Sequence, residues 1–92
     1  MALTLDQVVA VSEDAVFREL DGEAVVLNLE SGVYYGLDPV GTTIWQAIGP
    51  RGTLRQAFDR VLADFAADPA IVESDLIELA GTLLDKGLWV RG

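Results

Sequence analysis

The residues best placed to do chemistry are carboxylates: Asp64, Asp68, Glu73, Asp75 and Glu78 fall within one short stretch of the 92-residue chain. Such a group could transfer protons, hold a hard cation or attract a cationic partner. Paired carboxylates serve acid–base catalysis, but nothing in the spacing selects one pair. A calcium loop needs oxygen ligands at fixed positions around a central glycine, and that pattern is missing. Glu73 and Asp75 stand near an expected helix start, where the helix dipole stabilises negative charge. The cluster therefore reads first as a solvated acidic face and second as an attractor of a basic partner. The chain has no histidine and no cysteine, which removes imidazole, thiolate, disulfide and the soft metal ligands. Ser12 and Ser31 have no histidine to activate them, and Lys86, the sole lysine, sits at a helix end where it complements the dipole. Neither GxxxxGK[ST] nor GxGxxG occurs. The expectation is a protein with no catalytic residues, no metal and no cofactor.

Binding is the other chemistry, and it points to Val33, Tyr34, Tyr35, Gly36 and Leu37. In an extended strand successive side chains face opposite ways, so the tyrosine pair puts one ring on each face. Aromatics are ordinary strand residues, and one reading packs both rings on neighbouring helices. The sharper reading concerns the strand's edge. From Val33 to Leu37 there is no charge and no proline, the usual defences of an open edge. An undefended edge offers N–H and C=O groups to an extended peptide, which can add as a further strand.

The elements that must present this edge are strands in the first half of the chain. Residues 15–20 (AVFREL) and 24–29 (AVVLNL) are rich in β-branched and aromatic residues and flank Asp21-Gly22, a hairpin signature. Glu30-Ser31-Gly32 then returns the chain into 33–37, with Gly32 suited to a left-handed turn position. The result is a three-stranded antiparallel meander with 33–37 at its edge. On the middle strand Val25, Leu27 and Leu29 outweigh Ala24, Val26 and Asn28, and the heavier set is expected to face the core. Residues 1–14 form an N-terminal extension whose Leu3, Leu5, Val8, Val9 and Val11 fit either an extra strand or a strap across the sheet.

The second half reads as three helices. Asp38-Pro39 is a cap followed by proline at the first helical position, and the helix ends at Gly49-Pro50. Thr53 to Gln56 is a capping box that opens a helix to about Phe65. Asp68-Pro69 repeats the first signature, and Gly87 is the expected stop. The third helix carries Val72, Leu76, Leu79, Ala80 and Leu83 on one side, while Ile77, Leu84 and Leu88 widen its apolar arc. Such a helix has surface for two neighbours.

Fifteen acidic against six basic residues give a net charge of −9, which repels phosphate backbones and favours basic partners. No apolar run is long enough to span a bilayer, and the N-terminus lacks the features of an export signal. A cytoplasmic location is expected, without membrane or nucleic-acid partners.

The run LNLESGVYYGLDPVGTTIWQAI (27–48) resembles the PqqD family, the small domains also called RiPP recognition elements. Leu27, Asn28, Gly32, Tyr34, Tyr35, Leu37, Asp38, Gly41, Ile44 and Trp45 carry the likeness, which extends more weakly over residues 15–88. The resemblance implies an α+β fold, winged helix-turn-helix-like, with a three-stranded antiparallel sheet followed by three helices, and a peptide-recognition domain over 15–92. It implies a non-catalytic peptide chaperone that binds the leader segment of a ribosomally synthesised precursor by strand addition and presents it to a modifying enzyme or leader peptidase. The implied contacts are Val33, Tyr34, Tyr35, Gly36 and Leu37 on the strand, and Glu73, Leu76, Leu79, Ala80 and Leu83 on the third helix. Helix-packed side chains, with the ligand beside them, would cover the second tyrosine face. Basic residues of the peptide are expected to face Glu73, Asp75 or Glu78. Relatives serve pyrroloquinoline quinone, lasso peptide and radical-enzyme pathways, and all three remain open. Folding across the sheet and self-association into a homodimer are the roles open to residues 1–14. The alternatives are a general protein–protein adaptor of winged-helix fold and a DNA-binding regulator. The latter is disfavoured because Arg55 and Arg60 on helix two are matched by Asp59 and Asp64 and each phosphate contact needs a cation.

Overall fold

The computed structural model describes residues 3–21 and 23–92. Three helices and two small sheets surround one core. The helices begin and end where local chemistry dictates. In α1 (Pro39–Ile48) the Asp38 carboxylate accepts the Gly41 N–H at 2.7 Å, and Pro39 occupies the first turn. In α2 (Leu54–Asp64) the capping box is complete: Gln56 N–H donates to Thr53 Oγ1 at 3.3 Å, and Thr53 N–H donates to Gln56 Oε1 at 2.9 Å. Asp68 caps α3 (Pro69–Asp85) through Ala70 N–H at 2.8 Å. That helix closes with Gly87 at φ 70°, where Gly87 N–H donates to Leu84 C=O and Leu88 N–H donates to Leu83 C=O. These two bonds satisfy carbonyls the helix end would otherwise strand, and they turn Leu88 into the core.

Strands β2 (Ala15–Leu20), β3 (Glu23–Asn28) and β4 (Tyr34–Leu37) form an antiparallel sheet in the order β2-β3-β4. Asp21 adopts φ 52° at the first turn, and its neighbour Gly22 lies outside the described residues. At the second turn Asn28 Oδ1 accepts from Glu30 N–H at 2.9 Å and Ser31 N–H at 3.1 Å, and Gly32 supplies φ 76°.

The core face of β3 is the opposite of the one its apolar mass suggests. Ala24, Val26 and Asn28 are buried, whereas Val25 is 36% and Leu29 64% exposed. Register explains the inversion. Val26 lies opposite Tyr35 and Ala24 opposite Leu37, so the even-numbered face of β3 joins the face of β4 that packs toward the helices. Asn28 tolerates burial because its polar atoms are bonded: the two turn N–H groups donate to Oδ1, and Nδ2 donates to Gly87 C=O at 3.1 Å. This amide ties the sheet to the end of α3.

A second antiparallel sheet, absent from the expected three strands and three helices, has the order β5-β1-β6. Strand β1 (Val8–Val11) is its centre, between β5 (Arg51–Thr53), which joins α1 to α2, and β6 (Trp89–Arg91) after α3. The two sheets and α1 meet through aromatic rings. Phe17 of β2 stacks on Trp45 of α1 at 6.2 Å between centroids, and Trp45 stacks on Trp89 of β6 at 5.6 Å. No helix among the described residues is long and apolar enough to cross a membrane.

Candidate functional site

Strand β4 is the last strand of its sheet, and its hydrogen-bond phase follows from one contact. Asn28 N–H donates to Val33 C=O at 2.8 Å, which puts 28/33 in the phase of the hydrogen-bonded pairs. In an antiparallel ladder such pairs alternate with non-bonded ones, which makes 26/35 and 24/37 the next bonded pairs in the observed register. Tyr35 and Leu37 therefore direct their backbone groups inward to β3, as does the Val33 carbonyl, while Val33 N–H donates to Ser31 Oγ at 3.2 Å. Tyr34 and Gly36 direct theirs outward to the open edge. The side chains alternate in step: Tyr35 is half-buried and Leu37 buried on the helix side, while Tyr34 is 69% exposed on the other. No described residue covers Tyr34, whose cross-strand neighbour is Leu27. Among the described residues, no helix-packed side chain supplies the cover expected for this second tyrosine face.

Beside the open edge lies a cavity of about 420 Å³ between β4, the start of α1 and one side of α3. Tyr35, Gly36 and Leu37 form its strand wall, and Asp38, Val40, Gly41 and Ile44 its floor toward α1. Asp75, Glu78, Leu79 and Thr82 form its helix wall. Gly41 permits the tight junction between strand and helix, since a Cβ there would approach Asp38 Oδ1 and Leu37 Cδ2 to 3.2 Å. At the Tyr35 end, Lys86 Nζ stands 6.0 Å from the centre of the Tyr35 ring. A strand edge with unpaired backbone groups above an amphipathic cavity accommodates an extended polypeptide.

Of the ten candidate contact residues, Tyr35, Gly36, Leu37 and Leu79 line the cavity, while Tyr34 lies on the strand beside it and Val33 just before that strand begins. Leu76, Ala80 and Leu83 do not wall the groove: each is 0% exposed, in the core beneath it. Glu73 is exposed and does not line the cavity. The helix wall is Asp75, Glu78, Leu79 and Thr82 instead, spaced i, i+3, i+4, i+7 on one face. Asp38, Val40, Gly41, Ile44 and Thr82 were not singled out as contacts from the sequence. The signal that could have found them is that helical spacing, together with the start of α1 following directly on β4.

A profile of the family described as Coenzyme PQQ synthesis protein D (PqqD) matches residues 23–88. The chain belongs to the PqqD family. Among solved structures, the PqqD-family chain here is similar to one described as TbiB1 in complex with the TbiA(beta) leader peptide, with 33% identity and a TM-score of 0.77. The match covers 87% of this chain and 93% of that one. It is also similar in fold to a lasso peptide synthetase B1 complexed with the leader peptide, with 17% identity and a TM-score of 0.73, over 90% and 98% of the two chains. A search of curated proteins gave no significant match.

Proposed function

We propose that this PqqD-family protein is a non-catalytic peptide chaperone: it holds the leader segment of a ribosomally made precursor as an antiparallel strand on β4 and presents the adjoining core peptide to a modifying enzyme or leader peptidase. The observation that carries the reading is the outward-facing backbone of Tyr34 and Gly36 at a sheet edge directly beside a cavity. The similar TbiB1 structure contains a leader peptide, which supports the same class of ligand here.

The energetics are adequate for a transient complex. A few strand hydrogen bonds contribute about 0.5–1.5 kcal/mol each and two apolar anchors about 1.5–3 each, offset by ordering and association costs. The resulting dissociation constant lies between about nanomolar and micromolar. The charge pattern opposes the DNA-binding alternative. On α2, Arg55 pairs with Asp6 at 3.1 Å and Arg60 with Asp64 at 2.9 Å, so both cations of that helix are already engaged by carboxylates. Calorimetric titration against the precursor peptide of its own pathway tests the proposal. Saturable binding without turnover of the peptide is expected, and no heat of binding at about 100 µM peptide would overturn it.

A further inference from the structure

We propose that the segment bound along β4 is polarised: a lysine or arginine lies on the N-terminal side of two apolar residues spaced two apart, and its cation meets Asp38, Asp75 and Glu78. The inference rests on the reading that β4 receives a peptide, and narrows which peptide it is.

The apolar pair follows from strand geometry. In a strand added to β4, residues opposite Tyr35 and Leu37 share the helix-side face, and those opposite Tyr34 and Gly36 share the outer face. Two side chains two positions apart thus point into the cavity, where Val40, Ile44 and Leu79 offer apolar surface.

The cation follows from the distribution of charge around that cavity. Asp38 at the start of α1 and Asp75 and Glu78 on α3 line it, and neither ion pair among the described residues involves them. The cation beside Tyr35 is Lys86. Glu78 and Asp75 precede it by eight and eleven residues, roughly 12 and 16 Å along a helix axis at 1.5 Å per residue. The groove therefore has a cation beside Tyr35 and a carboxylate just past the end of β4, where Leu37 leads into Asp38, with Asp75 and Glu78 set away from Lys86 along α3.

Direction converts this gradient into sequence order. The antiparallel pairing is the more stable of the two per residue. A strand antiparallel to β4 enters at the Leu37 end and leaves at the Tyr34 end. Its N-terminal part meets the carboxylates and its C-terminal part passes Lys86. An acidic residue in the first position would face like charge, which penalises wrong partners more than it tunes right ones.

Selection of short random peptides displayed on phage tests this, using the full chain, its Asp75→Lys/Glu78→Lys variant and its Tyr34→Pro variant. Peptides enriched on the full chain should carry lysine or arginine shortly before an apolar-x-apolar triplet and should be lost on Tyr34→Pro. The double variant should bind those peptides about five- to twentyfold more weakly at low salt, as expected for two exposed charge pairs, with the difference shrinking at high salt. It should also enrich aspartate or glutamate at the same position. Enriched peptides that depend on Tyr34 but show no cation, or carry it after the triplet, would overturn the polarity and leave strand addition standing. Enrichment indifferent to Tyr34→Pro, or no enrichment, would overturn strand addition and the polarity together.

Discussion

At Tyr34 the backbone N–H and C=O face out of the sheet, and at Tyr35 they face in, so one substitution has opposite consequences at two adjacent positions. Tyr34→Pro removes an N–H that pairs with nothing in the sheet. The variant should fold with a normal circular dichroism spectrum and bind the precursor at least about tenfold more weakly, because proline cannot donate to an added strand. Tyr35→Pro removes a donor from the bonded pair with Val26 and should unfold or grossly destabilise the domain instead. A normal melting curve for Tyr35→Pro would show that the hydrogen-bond phase is misassigned. The importance of the tyrosine pair is legible in the sequence, since a strand must split two adjacent rings between its faces. Which ring goes where is not, because that depends on the alignment of β4 with β3. The same holds for Asn28, a polar residue on the core face whose burial depends on the distant Gly87 carbonyl.

At the scale of the element, α3 divides its work between two stripes. Val72, Leu76, Ala80 and Leu83 make the buried one, and Asp75, Glu78, Leu79 and Thr82 make the groove wall. Leu76→Ala and Leu83→Ala should each cost about 2–5 kcal/mol of stability in chemical denaturation, as large-to-small changes in a packed core do. Leu79→Ala should cost much less stability and weaken peptide binding by about tenfold, corresponding to partial loss of one apolar contact of about 1.4 kcal/mol. Equal destabilisation by all three changes, with binding unaffected at Leu79, would merge the two stripes into one core. Both helix ends are legible from Asp68-Pro69 and Gly87, and the apolar periodicity identifies the helix as amphipathic. Periodicity finds the centre of the apolar stripe, however, and the groove runs along its flank. Leu76, Ala80 and Leu83 are the residues that pattern selects most strongly, and they are the ones packing leaves inaccessible.

At the scale of the molecule, the N-terminal segment belongs to the same folded unit as the groove. Val9 is 0% exposed, and β1 is the only strand that joins β5 to β6 among the described residues. Deleting residues 1–14 removes that strand and strips the backbone partners of both neighbours. The truncated chain should lose its cooperative thermal transition or melt at least about 10 °C lower, as expected for several kcal/mol in a domain of this size. An unchanged melting temperature would show that the second sheet contributes nothing to stability. This sheet is hard to read from sequence for a physical reason. Its outer strands are three residues long, too short to establish a period, and Val8 pairs with Thr53 while Val11 pairs with Trp89. The first sheet is joined by short turns with recognisable residues, so its order is legible.

The central claim is that the open edge of β4 receives the peptide, and amide hydrogen exchange followed by NMR tests it most directly. In the free protein, Tyr35 and Leu37 should exchange slowly and Tyr34 and Gly36 fast, because only the first two donate within the sheet. Saturation with the precursor's leader peptide should slow exchange at Tyr34 and Gly36 by at least about tenfold relative to the free protein. Fast exchange at both amides in the saturated complex would contradict strand addition, whatever the affinity of the peptide.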